Sequence, residues 1–194
     1  MVATRSRSQV ESWTPEGLVK MQSKPLPARL TYPKPSLLVV GGMPGVGKST
    51  LLKTLKTDAL IISPEDVAER HGTKVVSPKN SLLLSKEVER ALRDGRSVII
   101  DAPALWPHLR NEYSCLALCE EVPANFLFLH EPQYKAKSGQ RERKRTIEKE
   151  SMQRYGRLQK EMFATWEDGY LEEYDSVVVT NRKGCQSLQE ISFA

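Results

Sequence analysis

The stretch Leu37-Leu38-Val39-Val40-Gly41-Gly42-Met43-Pro44-Gly45-Val46-Gly47-Lys48-Ser49-Thr50 sets four consecutive apolar residues directly before a glycine-rich turn. An uninterrupted apolar run of this length reads as a buried strand. The turn carries Gly42-x-x-x-x-Gly47-Lys48-Ser49, the spacing of a P-loop. Gly42, Gly45 and Gly47 allow a tight backbone turn in which several N–H groups converge on a polyphosphate. A helix starting near Gly47 adds its positive end. Lys48 then reaches the β- and γ-phosphates, and the Ser49 hydroxyl is placed to ligate Mg²⁺. Residues 42–50, with Met43, Pro44, Val46 and Thr50 completing the loop, are therefore the expected nucleotide-binding segment. A glycine-rich turn without a nucleotide would not account for strand, full motif and the helical Leu51-Leu52-Lys53-Thr54-Leu55 occurring together.

Outward from this loop, strand and helix patterns alternate. Ala59-Leu60-Ile61-Ile62 is a short apolar run, followed by Ser63-Pro64-Glu65-Asp66, which reads as a helix start with a capping hydroxyl, proline at the first position and acids in the first turn. Ser77-Pro78 opens a helix whose Leu82, Leu83, Val88, Ala91 and Leu92 recur at helical spacing until Asp94-Gly95. Ser97 to Asp101 reads as the third strand, Trp106 to Glu120 as a helix, and Asn125 to Leu129 as the fourth strand. A basic helical stretch from about Gln140 to Trp166 precedes a fifth strand, Ser176 to Thr180. Such alternation predicts an α/β, three-layer P-loop fold: about five parallel strands, helices on both faces and an arginine-rich helical lid. Nucleotide sites in such sheets lie beyond the carboxyl ends of the strands. Residues 1–36 hold five prolines and a basic excess, and are expected to form an extended, poorly packed arm before a domain over 37–194.

Composition bounds the function. The chain has 194 residues, 27% charged and 39% hydrophobic, as expected of one globular domain. No apolar run approaches the roughly 18–20 residues of a membrane span. The first ten residues carry Arg5 and Arg7 with serines, a faint transit-peptide pattern, but no hydrophobic segment, so a cytoplasmic protein is expected over a secreted one. Three cysteines make neither a disulfide framework nor a zinc site, and they read as buried thiols in a reducing compartment. The net charge of +5 is local: residues 135–160 hold ten basic residues against three acids. That concentration points to a phosphate site.

Three constellations supply candidate chemistry. Asp101, ending its strand, sits as a Walker-B carboxylate near Mg²⁺, or faces an acceptor, or merely closes a buried strand. Glu65 and Asp66 follow the second strand, where a carboxylate would lie across the cleft from a γ-phosphate and take a proton from an attacking hydroxyl. Capping explains Asp66 more fully than Glu65, so Glu65 is the preferred base. Arg141 and Arg145 share a helical face in Arg141-Glu142-Arg143-Lys144-Arg145 and suit the oxygens of a transferring phosphate. A solvated basic helix, or a face that holds nucleic acid, is the competing reading of that cluster. His71, His108 and His130 show no metal-ligand spacing, and Trp106, Trp166 and Tyr170 pack on the core or on a nucleotide edge.

Together these residues resemble the small P-loop kinases related to polynucleotide kinase and the zeta-toxin-like kinases, over about Leu37 to Arg182. In that group the segment after the second strand reads Asp-Asp-x-Arg, its first acid being the general base. Here Ser63-Pro64-Glu65-Asp66-Val67-Ala68 sets Glu65 at that position and Ala68 where an arginine is expected. The group's strand ending Asp-Ala-Thr-Asn is matched by Asp101-Ala102-Pro103-Ala104, which keeps the acid and loses the polar pair. The resemblance implies a Mg²⁺-ATP-dependent kinase with a hydroxyl acceptor, either a nucleic-acid 5′-hydroxyl or a small metabolite. A nucleotide-dependent switch or nucleic-acid-binding module is the alternative. No guanine-reading motif is apparent.

Overall fold

The protein is described from a computed structural model over residues 25–132, 148–167 and 174–194. The phosphate-loop strand β2 (Leu37–Gly41) is buried at every position, as are β4 (Val98–Asp101) and β5 (Ala124–Leu129). Strands covered on both faces cannot alternate polar and apolar residues, which is why their sequences are apolar runs. The edge strands β3 (Leu60–Ile62) and β6 (Ser176–Thr180) are only partly buried. All five are parallel, in the order β3-β4-β2-β5-β6.

Among the described residues, five α-helices flank the sheet: α1 (Lys48–Thr54), α2 (Pro64–His71), α3 (Pro78–Arg93), α4 (Pro107–Cys119) and α5 (Lys149–Glu167). Their starts obey the sequence signals. Ser63 Oγ accepts from the Asp66 N–H at 3.0 Å and Ser77 Oγ from the Asn80 N–H at 3.2 Å, each with proline following the cap. Gly95, with φ of 72°, ends α3 where expected.

Register fixes the site. Val40 lies opposite Asp101 and Gly41 opposite Phe128, so the ends of β2, β4 and β5 open on one side. Gly41 allows this closeness: a Cβ there would stand 2.6 Å from the Phe126 ring.

Of the expected arm, residues 1–24 lie outside the described residues. From Arg29 to Tyr32 the chain forms β1, paired in parallel with a C-terminal strand β7 (Glu190–Phe193), and Tyr32 is buried against Phe193 with ring centroids 5.9 Å apart. The alternation in Thr31-Tyr32 and Glu190-Ile191-Ser192-Phe193 is too short to announce a sheet by itself; long-range pairing creates it. The cysteines also differ from a uniformly buried set. Cys115 and Cys119 are exposed on α4, and only Cys185 is buried, where desolvation pushes its thiol up to about 11.

Candidate functional site

The loop after β2 is built almost entirely from backbone. Gly42, Gly45 and Gly47 take φ of 139°, 91° and 104°, values that L side chains rarely adopt. At Gly42 space is lacking as well, since a Cβ would lie 2.5 Å from the Leu129 carbonyl oxygen. Lys48 opens α1 after Gly47 and is buried. Its ammonium donates to the carbonyls of Gly42 (2.8 Å) and Met43 (3.3 Å), holding the two sides of the turn together. Ser49 and Thr50 follow in the first turn of α1.

Asp101 reaches this loop through the sheet. It is buried at the end of β4, and the segment behind it is tied back by Ala102 N–H to Val40 carbonyl (3.4 Å) and Gly42 N–H to Pro103 carbonyl (3.0 Å). The next residue, Ala104, has φ of 48°, unusual for a residue with a Cβ. A fully buried arginine holds it: Arg110 Nη1 donates to the carbonyls of Ala104 (3.3 Å) and Leu105 (2.8 Å). Tyr174, before β6, gives its hydroxyl to the Arg110 carbonyl at 3.0 Å. The sequence reading did not single out Arg110, because a basic residue on an amphipathic helix gives no sign of pointing inward.

Side chains from α2, α4 and α5 gather in a second cluster, a wall around Trp106 and Tyr155. Glu65 and Asp66, both exposed in the first turn of α2, differ in what they meet. Asp66 gives its backbone N–H to the Ser63 cap. The Glu65 charge acts on two tyrosines. Burial first, then Glu112 and Glu65, push the Tyr113 phenol well up; burial, then Glu65, push Tyr155 up against the opposing Arg154 charge. Trp106, at the N-cap of α4, meets Tyr155 edge-on with centroids 5.3 Å apart, and the Arg154 guanidinium lies 5.7 Å from the Trp106 ring centre. Ala68, where the resemblance expects an arginine, is buried inside α2's packing.

A cavity of about 800 Å³ lies between α5 and the phosphate loop, which it borders at Met43. His130, just past β5, lines it and packs its ring edge-on against Phe163 at 4.9 Å; burial lowers its pKa, against the opposing Glu131 charge. Arg157 and Lys160 also line it, so described residues of the basic stretch do stand beside the loop. Arg141 and Arg145 lie outside the described residues, as do Tyr170 and the Trp166 side chain. His71 pairs with Glu87 at 3.2 Å on the surface, away from any metal-like cluster among the described residues.

Comparison with known proteins gives this geometry its context. No curated protein matches the chain. Among solved structures, a chain of the Pnkp1/Rnl/Hen1 RNA repair complex is 18% identical, with a TM-score of 0.55 over 73% of this chain and 48% of that one. The present chain thus spans about half the length of that protein. The PezAT chromosomal toxin–antitoxin system of Streptococcus pneumoniae gives 11% identity and a TM-score of 0.54, over 87% of this chain and 75% of that one. APS kinase CysC of Mycobacterium tuberculosis, in complex with AMPPNP and APS, gives 12% and 0.50, over 80% and 94%. Identities this low carry the fold alone, and the shared fold is the parallel P-loop sheet described above. The AAA domain family matches residues 37–163, from the strand before the phosphate loop into α5. With that match across well over half of its length, the chain belongs to the AAA domain family.

Proposed function

We propose that this protein is a phosphotransferase that moves the γ-phosphate of Mg²⁺-ATP to a hydroxyl acceptor, either a nucleic-acid 5′-end or a small metabolite. The observation that carries the reading is the backbone-built phosphate loop, with Gly42, Gly45 and Gly47 at positive φ, Lys48 buried at its end and Asp101 buried at the end of the adjacent strand. In this scheme the N–H groups of residues 42–50 hold the triphosphate. Lys48 leaves its two loop carbonyls for the β- and γ-phosphate oxygens, a swap of partners that costs little because both are buried and polar. Glu65 accepts the acceptor's proton as the new O–P bond forms and the bond to the leaving ADP breaks. The lid arginines Arg141 and Arg145 balance charge on the transferring group.

Mg²⁺ would be held by Ser49, in the first turn of α1, and Asp101, at the end of β4. The fit is reasonable because Mg²⁺ usually takes one or two protein groups, completing its shell with waters and phosphate oxygens. When bound it supplies charge neutralisation across the β- and γ-oxygens.

A second reading has support at two places in the chain. Ala68 and the Pro103-Ala104 pair stand where the group carries polar side chains, which favours an unusual acceptor, or a nucleotide-dependent switch with little transfer. One experiment separates these. Labelled γ-phosphate from Mg²⁺-ATP is offered to 5′-hydroxyl DNA and RNA, nucleosides and sugars, beside Lys48→Ala and Glu65→Gln. Label on one acceptor, lost in both variants, establishes the kinase. ATP binding without any labelled acceptor leaves the switch.

A further inference from the structure

We propose that the outer face of α4 holds a zinc ion shared by two copies of this chain, with Cys115 and Cys119 of each copy as its four thiolate ligands. The site goes beyond the kinase reading and does not depend on it, because these residues lie on the side of α4 turned away from the sheet.

The composition of that face supplies the first argument. Helix α4 turns Arg110, Tyr113, Ser114, Leu116 and Ala117 inward. Pro107, His108, Asn111, Cys115, Leu118 and Cys119 are exposed, and none of them is Asp, Glu, Lys or Arg. The two such residues of the helix are engaged elsewhere: Arg110 is buried on the carbonyls of Ala104 and Leu105, and Glu112 accepts from the Ser81 and Ser85 hydroxyls of α3. By contrast α2 exposes Glu65, α3 exposes Lys86 and α5 exposes Arg154. In a chain that is 27% charged, an outer helix face without a charged residue stands apart. Cysteine is also among the residue types most often buried. Here two are exposed one turn apart, with Leu118 beside them 50% exposed.

Donor geometry supplies the second. Residues four apart stand one above the other on a helix, with Cβ atoms about 5–6 Å apart. A disulfide within the helix would need about 3.5–4.5 Å. Two sulfurs converging on one ion at about 2.3 Å each tolerate the wider spacing, and C-x₃-C falls within the ligand spacings of zinc sites. Paired ligands at this interval on one helix face are also how H-E-x-x-H sequences hold zinc. A structural zinc takes four ligands, and no group of three or more His, Cys, Asp or Glu is gathered for a metal among the described residues. His108 precedes Cys115 by about 10 Å along the helix axis, too far to join the same ion. Two further donors must therefore come from outside the chain. A second copy brings the same pair when two α4 helices meet across a two-fold axis, a self-complementary contact. The uncharged face favours this partner: each chain carries a net charge of +5, and this surface adds no like-charge contacts between copies. Binding releases the thiol protons to solvent and involves no oxidation.

The test is a Zn²⁺ titration of the full chain under a phosphine reductant, read by sedimentation and by metal analysis. The wild type should pass from monomer to dimer, reach one zinc per two chains, and return to monomer when a chelator is added. Co²⁺ in place of Zn²⁺ should give the thiolate-to-metal charge-transfer absorption of a four-sulfur site. The double variant Cys115→Ser, Cys119→Ser should stay monomeric at the same zinc concentration. It should melt as the wild type does, because both side chains are exposed. A wild type that stays monomeric, a stoichiometry of one zinc per chain, or a zinc-driven dimer that survives in the double variant overturns the proposal. A dimer that forms only when the reductant is omitted assigns the thiols to a disulfide between chains and overturns it as well.

Discussion

The phosphate loop and the side-chain wall around Trp106 and Tyr155 are made of different material. The loop is nine consecutive residues whose shape comes from three glycines and whose cross-brace is one lysine bonded to loop carbonyls. The wall is a collection: Glu65 from α2, Trp106 and Tyr113 from α4, Arg154 and Tyr155 from α5, with Arg110 bracing the connection behind Asp101. A backbone surface suits the part of a ligand that does not vary, the polyphosphate. A side-chain surface can be re-cut for a new acceptor without touching the loop. The two regions therefore answer differently to substitution. The loop is intolerant because its backbone has one workable path, and the wall is graded because each residue contributes a separable contact.

Lys48→Ala presses hardest on this contrast. It should cost phosphoryl transfer about 10²- to 10³-fold, the scale for losing one preorganised electrostatic group, and lower stability by about 1–3 kcal/mol as the Gly42 and Met43 carbonyls lose their donor. Steady-state assays beside thermal melts check this; activity within a few-fold of wild type would mean that the loop does not stabilise the transferring phosphate. Gly42→Ala should harm stability itself. Its Cβ meets the Leu129 carbonyl at 2.5 Å, and φ of 139° adds strain, together about 3 kcal/mol or more. Denaturant unfolding reads this directly.

Behind the wall, Arg110→Met removes the donor that holds the carbonyls of Ala104 and Leu105. Leaving such groups unpaired in the interior should cost about 2–4 kcal/mol. Because Ala104 follows the segment bonded to Gly42, the variant should also weaken nucleotide binding, which would join loop and wall mechanically. Unfolding and ATP titration on the same sample separate the two effects; a stability loss with unchanged ATP affinity would keep the regions independent.

The same division decides what could be read from the sequence. Five strands and five helices were legible because each announces itself within ten or so residues, by an apolar run or by a Ser-Pro start. The loop was legible because its chemistry is local. Glu65 could be placed in a helix's first turn, but its neighbours Tyr113 and Tyr155 lie far along the chain and come together only by packing. Arg110 is an ordinary helical arginine until α4 docks on the sheet. Strands β1 and β7 pair residues about 160 positions apart, so neither segment carries its partner's signal. Cys115 and Cys119 were misjudged because composition says nothing about which face of α4 turns outward.

Ser63→Ala tests the gentlest link between the two regions. The Ser63 hydroxyl accepts the Asp66 N–H at 3.0 Å and sits on the turn that leads from β3 into α2. Losing that cap should cost about 1 kcal/mol of stability. Its more telling effect falls on Glu65, which shares the capped turn and whose carboxylate direction depends on where α2 begins. If Glu65 works as the base, a frayed first turn should lower kcat several-fold while the KM for ATP stays put, because the phosphate loop is untouched. Restoring a cap with Ser63→Asp or Ser63→Thr should recover kcat along with stability. Recovery of stability alone would mean that the turn supports the fold without aiming Glu65, and the proton acceptor would then have to be sought at Asp101, which the sheet holds in place regardless of α2.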